Sequence, residues 1–175
     1  DELFPPSDGT FSPIPNDLAE PLRNALNKRG IDALYSHQAR AYALARGLPD
    51  PQRDFEGRAK CIVVATPTAS GKSLCFHLPV LQQIISDPDS RAIYLYPTKA
   101  LSRDQESSIH ELVADAGLQI PAVVYDGDTP GDARRAARER SPLILTNPDM
   151  IHTGILPHHA NWARTFQALR YVIID

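Results

Sequence analysis

From residue 61 onward, short apolar or β-branched runs return at regular intervals, and helix-forming stretches fill the gaps between them. The runs are CIVVA (61–65), AIYLY (92–96), AVVY (122–125), LILT (143–146) and YVII (171–174). Stretches near 72–86, 99–116, 130–139, 148–153 and 160–169 read as helices. Strands that alternate with helices pair in parallel through right-handed crossovers. Runs that are apolar throughout fit a sheet covered on both faces. The expected fold is therefore α/β, a mainly parallel sheet with helices on both sides.

Upstream of this pattern the chain reads differently. Residues 1–16 carry four prolines and are expected to form an irregular arm. Helices are expected over 17–29, stopping at Gly30, and from Ser36 as cap to Arg46, stopping at Gly47. The polar stretch 48–60 reads as a surface loop. The chain thus divides into an arm (1–16), a helical region with its loop (17–60) and the α/β domain (61–175). No internal repeat is visible.

Composition narrows the function classes. With 42% apolar and 22% charged residues among 175, the chain is globular and long enough for one core. A net charge of −3 and a pI near 6.1 argue against a basic coat for nucleic acid. They leave room for phosphate sites built from backbone amides. No apolar run has the length of a membrane span, and the acidic, Pro-rich start is unlike a secretory signal. Cys61 and Cys75 lie in apolar runs without CxxC spacing and read as reduced core thiols of a cytosolic protein.

Chemistry concentrates where strands hand over to helices. CIVVA runs into 66-TPTASGKS-73, which ends as a phosphate loop ends and opens a helix. The amides of residues 69–73 can wrap a β-phosphate, and Gly71 allows close approach. Lys72 can reach the β- and γ-phosphates, and the Ser73 hydroxyl can bind Mg²⁺. Thr66 stands where the phosphate-loop pattern has glycine, and an ordinary helix cap with a surface lysine is the competing reading. The C-terminal LRYVIID is an apolar strand ending in Asp175, the form of a Walker B segment whose aspartate holds Mg²⁺. AIYLY is followed by Pro97-Thr98-Lys99. AVVY is followed by 126-DGDTPGD-132, with Thr129 as the expected helix cap. LILT is followed by Asn147-Pro148-Asp149. In a parallel sheet these junctions share the carboxyl edge, where helix N-termini accept anions. Several such junctions in a row point to a polyanion.

Other features have plainer readings. His158-His159 reads as a solvated loop, and 134-RRAARER-140 as a solvated helix face with a basic phosphate patch as its rival. Trp162 and Phe166 read as core. Glu106, Glu111 and Asp115 read as one solvated helix side.

Together these motifs resemble the superfamily-two DEAD/DEAH-type helicases, from about residue 30 to the end. Thr66, Pro67, Thr68, Ala69, Ser70, Gly71, Lys72 and Ser73 resemble motif I, with Ala69 departing from the commoner glycine. Tyr35-Ser36-His37-Gln38 resembles the Q-motif region, in which Gln38 would read the adenine edge. YPTKAL (96–101), DGDT (126–129), TNPD (146–149) and VIID (172–175) resemble motifs Ia, Ib, the next strand-contacting motif and the start of motif II. The wording of YSHQ, TPTASGKS, YPTKALSRDQ, YDGDTP and LTNPDMIH is similar to the bacterial mitomycin repair factor A helicases and their RecQ-related fungal relatives.

This resemblance implies a RecA-like P-loop NTPase domain that stops after the Walker B strand, with ATP and Mg²⁺ as cofactors. It implies Lys72 and Asp175 as catalytic residues and Ser73 and Asp175 as metal ligands. Thr98, Lys99, Gly127, Thr129, Thr146 and Asn147 would grip consecutive phosphates of one strand. The implied partner is single-stranded or forked DNA, with RNA second and no membrane. The implied work is three-prime-to-five-prime translocation in repair, in a bacterial cytoplasm at the nucleoid. A glutamate after Asp175, a strand between the Walker A and Walker B strands and a second RecA-like domain with arginine fingers are expected in a longer chain. Residues 1–175 alone are expected to bind ATP weakly, hydrolyse it negligibly and fold poorly. The alternatives are an RNA helicase of the same superfamily, a non-motor phosphate-loop switch or kinase, and a nucleic-acid-binding module with a dead nucleotide site.

Overall fold

The computed structural model describes residues 9–48, 61–67 and 70–175. The expected arm is not irregular throughout. Its residues Phe11–Pro13 form β1, which pairs antiparallel with β2, Ala33–Tyr35. Phe11 stacks on Tyr35 at 4.9 Å between ring centroids, a cross-strand aromatic pair that holds the ribbon. Between these strands lies α1, Glu20–Lys28, which buries Leu22, Ala25 and Leu26. After them comes α2, Ser36–Arg46, ended by Gly47 at a φ of 71°. The cap of α2 is Tyr35 rather than Ser36, because Gln38 reaches back to the Tyr35 N–H.

The remaining elements alternate as the sequence pattern requires. They are α3 (Lys72–Ser86), β3 (Arg91–Leu95), α4 (Lys99–Asp115), β4 (Ala122–Val124), α5 (Gly131–Arg140) and β5 (Leu143–Thr146), followed by the short α6 (Pro148–Met150). A π turn over 151–155 and a 3₁₀ stretch over 156–162 lead to α7 (Ala163–Gln167) and β6 (Leu169–Ile174). Pro157 lies at the start of the 3₁₀ stretch, and the backbone kinks at His158. The helix expected near 148–153 starts as an α turn over 148–150 and continues as a π turn over 151–155.

Strands β3 to β6 form one parallel sheet in the order β4-β5-β3-β6. The main core lies between this sheet and the helices, around Tyr94, Leu143, Leu145, Leu78, Leu81, Ile109 and Leu112. A second cluster gathers Tyr125, Ala137, Ile144, Ile155 and Trp162, with Phe166 packed against it. Trp162 and Phe166 are thus core residues, as read. No helix among the described residues is long and apolar enough to cross a membrane.

The expected strand at 61–65 is absent: among the described residues this run pairs with no other strand. An open cavity of about 760 Å³ lies between it, α3 and β6. Val63 on one side is 85% exposed and Ile174 on the other 80% exposed. A strand exists through its ladder of inter-strand bonds, and among the described residues this segment has no partner strand to form one. Cys61 is consequently exposed, against the expectation of a core thiol, whereas Cys75 is buried.

Candidate functional site

The loop that leads into α3 is bolted to the helix that precedes it in sequence. Gly71 caps α3 in the left-handed region at a φ of 70°. The Gln38 side chain, 3% exposed, donates from Nε2 to the Gly71 carbonyl at 2.8 Å. Its Oε1 accepts the Tyr35 N–H at 2.9 Å. Both ends of the amide expected to read adenine are thus engaged within the fold. His37 lies 3.0 Å from the Ser70 carbonyl through Nε2, a second tie that the sequence reading missed. It follows from position, since His37 and Gln38 are consecutive at the start of α2.

Within the loop, the hydroxyls of Thr66 and Ser70 bond at 2.6 Å, which gives Thr66 a role that glycine could not fill. The Lys72 ammonium donates to the carbonyls of Thr66 (3.1 Å) and Pro67 (2.7 Å). Thr68 and Ala69 lie outside the described residues. Ser73 is half-buried in the first turn of α3. Asp175, at the end of β6, is exposed, and its N–H donates to the Leu95 carbonyl at 3.1 Å. Lys72 and Asp175 line the same cavity.

The three other junctions stand side by side at the carboxyl ends of β3, β4 and β5. Thr98 caps α4, its hydroxyl accepting the Leu101 N–H at 3.2 Å. Asn147 caps α6, its Oδ1 accepting the Met150 N–H at 2.8 Å. Thr146 is 1% exposed, and its hydroxyl donates to the Tyr125 carbonyl at 2.7 Å, fastening the end of β5 to the end of β4. Lys99 is exposed and pairs with Asp128 at 2.6 Å, so two of these junctions touch. That hydrogen bond raises the pKa of Lys99 and lowers that of Asp128.

The junction at 126–129 differs from expectation. Pro130, not Thr129, is the cap residue of α5, and Thr129 turns inward instead. Its hydroxyl accepts the Asp126 N–H at 2.9 Å and lies 3.1 Å from Asp126 Oδ1. Asp126 is 3% exposed, and its Oδ1 also accepts the Asp128 N–H at 2.9 Å. Gly127 is exposed, with open space around the position a Cβ would take.

Two of the plainer readings change. Glu106 does not face only solvent: its Oε1 accepts the Val124 N–H at 2.9 Å on β4, an edge strand. Asp115 pairs with Arg29 at 2.6 Å. In the basic run, Arg135 pairs with Glu139 across one helical turn as a solvated face would, but Arg134 folds back onto the preceding loop.

A parallel sheet, a glycine-opened helix carrying Lys72, and an acid ending the strand beside it define a RecA-like P-loop NTPase domain of the helicase type. The DEAD/DEAH box helicase model matches residues 36–175, and the chain belongs to that family. It is 43% identical over 97% of its length to the ATP-dependent helicase YprA of Bacillus subtilis, of which it spans 21%. It is 39% identical over 81% of its length to the ATP-dependent helicase HRQ1 of Saccharomyces cerevisiae, spanning 12% of that protein. A crystal structure of the helicase MrfA bound to DNA and AMPPNP superposes with a TM-score of 0.88 at 43% identity, covering 97% of this chain and 22% of MrfA. The chain thus corresponds to about a fifth of the YprA and MrfA relatives, and the resemblance to the mitomycin repair factor A and RecQ-related helicase group holds.

Proposed function

We propose that this chain is the nucleotide-binding motor domain of an ATP-dependent DNA helicase that moves along single-stranded DNA. The observation that carries the reading is the row of junctions at 97–99, 126–129 and 146–147. They top three adjacent parallel strands and continue the edge on which Lys72 and Asp175 share a cavity. Helix N-termini and loop amides there suit phosphates and carry no base code, so binding is expected to tolerate any sequence. Relatives in the same family described as bound to DNA favour DNA over RNA.

Lys72 would meet the β- and γ-phosphates of ATP in exchange for the Thr66 and Pro67 carbonyls it now holds. The Ser73 hydroxyl and the exposed Asp175 carboxylate are hard oxygen donors of the kind Mg²⁺ takes, and they would hold it. When bound, the metal neutralises phosphate charge. Gln38 would couple the loop to the adenine side, since its amide already answers to the position of Gly71. Residues 66–73 would cradle the phosphates, and Thr98, Lys99, Gly127 and Asn147 would face the DNA backbone, with Thr129 bracing the 126–129 loop from inside and Thr146 holding two of the loops together. A second RecA-like domain, three-prime-to-five-prime movement, a repair role at forked DNA and a cytoplasmic, nucleoid-associated setting complete the reading.

The test is ATPase of the full-length protein, wild type beside Lys72→Ala, with single-stranded DNA and RNA compared at one salt concentration. DNA stimulation that vanishes in the variant is the expected result. ATPase indifferent to nucleic acid would favour a non-motor switch.

A further inference from the structure

The loop 126–129 offers little of its own to a phosphate. It carries two carboxylates, and the Thr129 hydroxyl is engaged inward. What makes it usable is the direction of its peptide groups, and one side chain sets that direction. Arg134 Nε donates to the Thr129 carbonyl at 2.8 Å. Arg134 Nη2 donates to the carbonyls of Gly127 at 3.0 Å and Asp126 at 3.2 Å. Three carbonyl oxygens, each repulsive to a phosphate, are thereby turned onto one guanidinium. In a trans peptide the N–H points opposite to the C=O. Drawing the Asp126 carbonyl inward therefore turns the Gly127 N–H away from the clamp, at a residue that is exposed.

The clamp has a rigid base. The Arg134 guanidinium lies over the Tyr125 ring, 5.6 Å from its centroid, and Tyr125 packs edge-on against Trp162 at 4.8 Å in the second core cluster. The geometry uses the planar fork of arginine, since Nε and Nη2 present parallel N–H groups. The ammonium of lysine has no such fork.

We infer that Arg134 is a positioning residue for strand binding, which holds the 126–129 loop in the conformation that presents its backbone to a DNA phosphate without touching the DNA itself. The inference rests on the proposed helicase function and adds to it a residue outside the motifs that carry the resemblance. A direct basic contact, the rival role for the 134–140 run, makes different predictions. On a single strand, every phosphate neutralised by a basic side chain contributes about 0.7 to the slope of log affinity against log salt, and a positioning residue contributes none.

The experiment uses the full-length helicase with oligo-dT as probe, comparing wild type, Arg134→Met and Arg134→Lys. Met keeps the length and the packing on Tyr125, and Lys keeps the charge. The expected result is a rise in Kd for oligo-dT of about tenfold in both variants, from loss of charge-assisted bonds. The salt slope stays at the wild-type value, and DNA-independent ATPase and the KM for ATP stay within about twofold. A slope smaller by about 0.7 in Arg134→Met, with affinity and slope restored by Lys, would mean that Arg134 touches phosphate and would overturn the inference. So would wild-type affinity in both variants, or loss of the folded state in both. If the wild type itself neither binds oligo-dT nor responds to it, the helicase reading fails with it. Failure of the variants alone leaves that reading standing.

Discussion

Gly71 carries two constraints that come from different parts of the fold. Its φ of 70° lies in the left-handed region, where a Cβ costs about 1–2 kcal/mol. A Cβ there would also stand 2.6 Å from Gln38 Nε2, on a side chain that is 3% exposed and fixed at both ends. Gly71→Ala is therefore expected to lower the thermal midpoint and weaken binding of an ATP analogue together, because the strained loop and the displaced Gln38 are one structure. Adding Gln38→Ala removes the clash and leaves the backbone strain. The double variant should recover part of the stability lost in Gly71→Ala, measured as a coupling in a double-mutant cycle. Strict additivity of the two changes would show that the contact is idle. At this scale the sequence made Gly71-Lys72-Ser73 legible, since the three are contiguous and open a helix. It could not reveal the bond from Gln38, which closes across 33 residues of chain.

The elements were legible where periodicity alone decides them. Strands β3, β5 and β6 and helices α3, α4 and α5 fall within a residue or two of the runs that predict them at most ends. The misses are places where pairing or a side chain decides instead. Residues 61–65 have the composition of a strand but, among the described residues, no partner strand, and β1 is formed by a Pro-rich segment because β2 is there to receive it. Glu106 belongs to the same class. On α4 it reads as one more solvated carboxylate, yet it accepts the N–H of Val124 on the edge strand β4. An edge strand exposes unpaired donors, and this carboxylate closes one of them. Glu106→Ala should cost about 1–2 kcal/mol by leaving that N–H without its partner, whereas Glu106→Gln keeps the carbonyl acceptor and should cost less. Urea unfolding gives the size, and hydrogen exchange at the Val124 amide gives the location. Unchanged protection at Val124 in Glu106→Ala would rule out the bond as the cause.

Across the whole molecule, α3 links the loop at Gly71 to the centre of the core. His77 lies in its middle, 1% exposed, with Nδ1 at 3.5 Å from the Tyr94 hydroxyl of β3 and its ring edge-on to Phe76. Burial lowers its pKa from the ordinary 6.5 to about 4, so the folded protein holds it neutral. In the unfolded chain it takes up a proton near pH 6.5. The unfolded state therefore binds more protons between these two values, and stability must rise with pH across that window. The contribution is fully present above pH 6.5 and is lost as the pH falls towards 4, amounting to about 3 kcal/mol over the full interval. His77→Phe removes the titration while keeping an aromatic ring in the core. The wild-type urea midpoint should fall between pH 7 and pH 5 more steeply than that of His77→Phe, and the difference between the two curves isolates this group from the carboxylates common to both. Parallel curves would mean that His77 takes up its proton alike in the folded and unfolded states, as a solvated imidazole does. The core between α3 and β3 would then be open to water, and the rigid connection from Lys72 to the strand that leads into Thr98 and Lys99 would be lost with it.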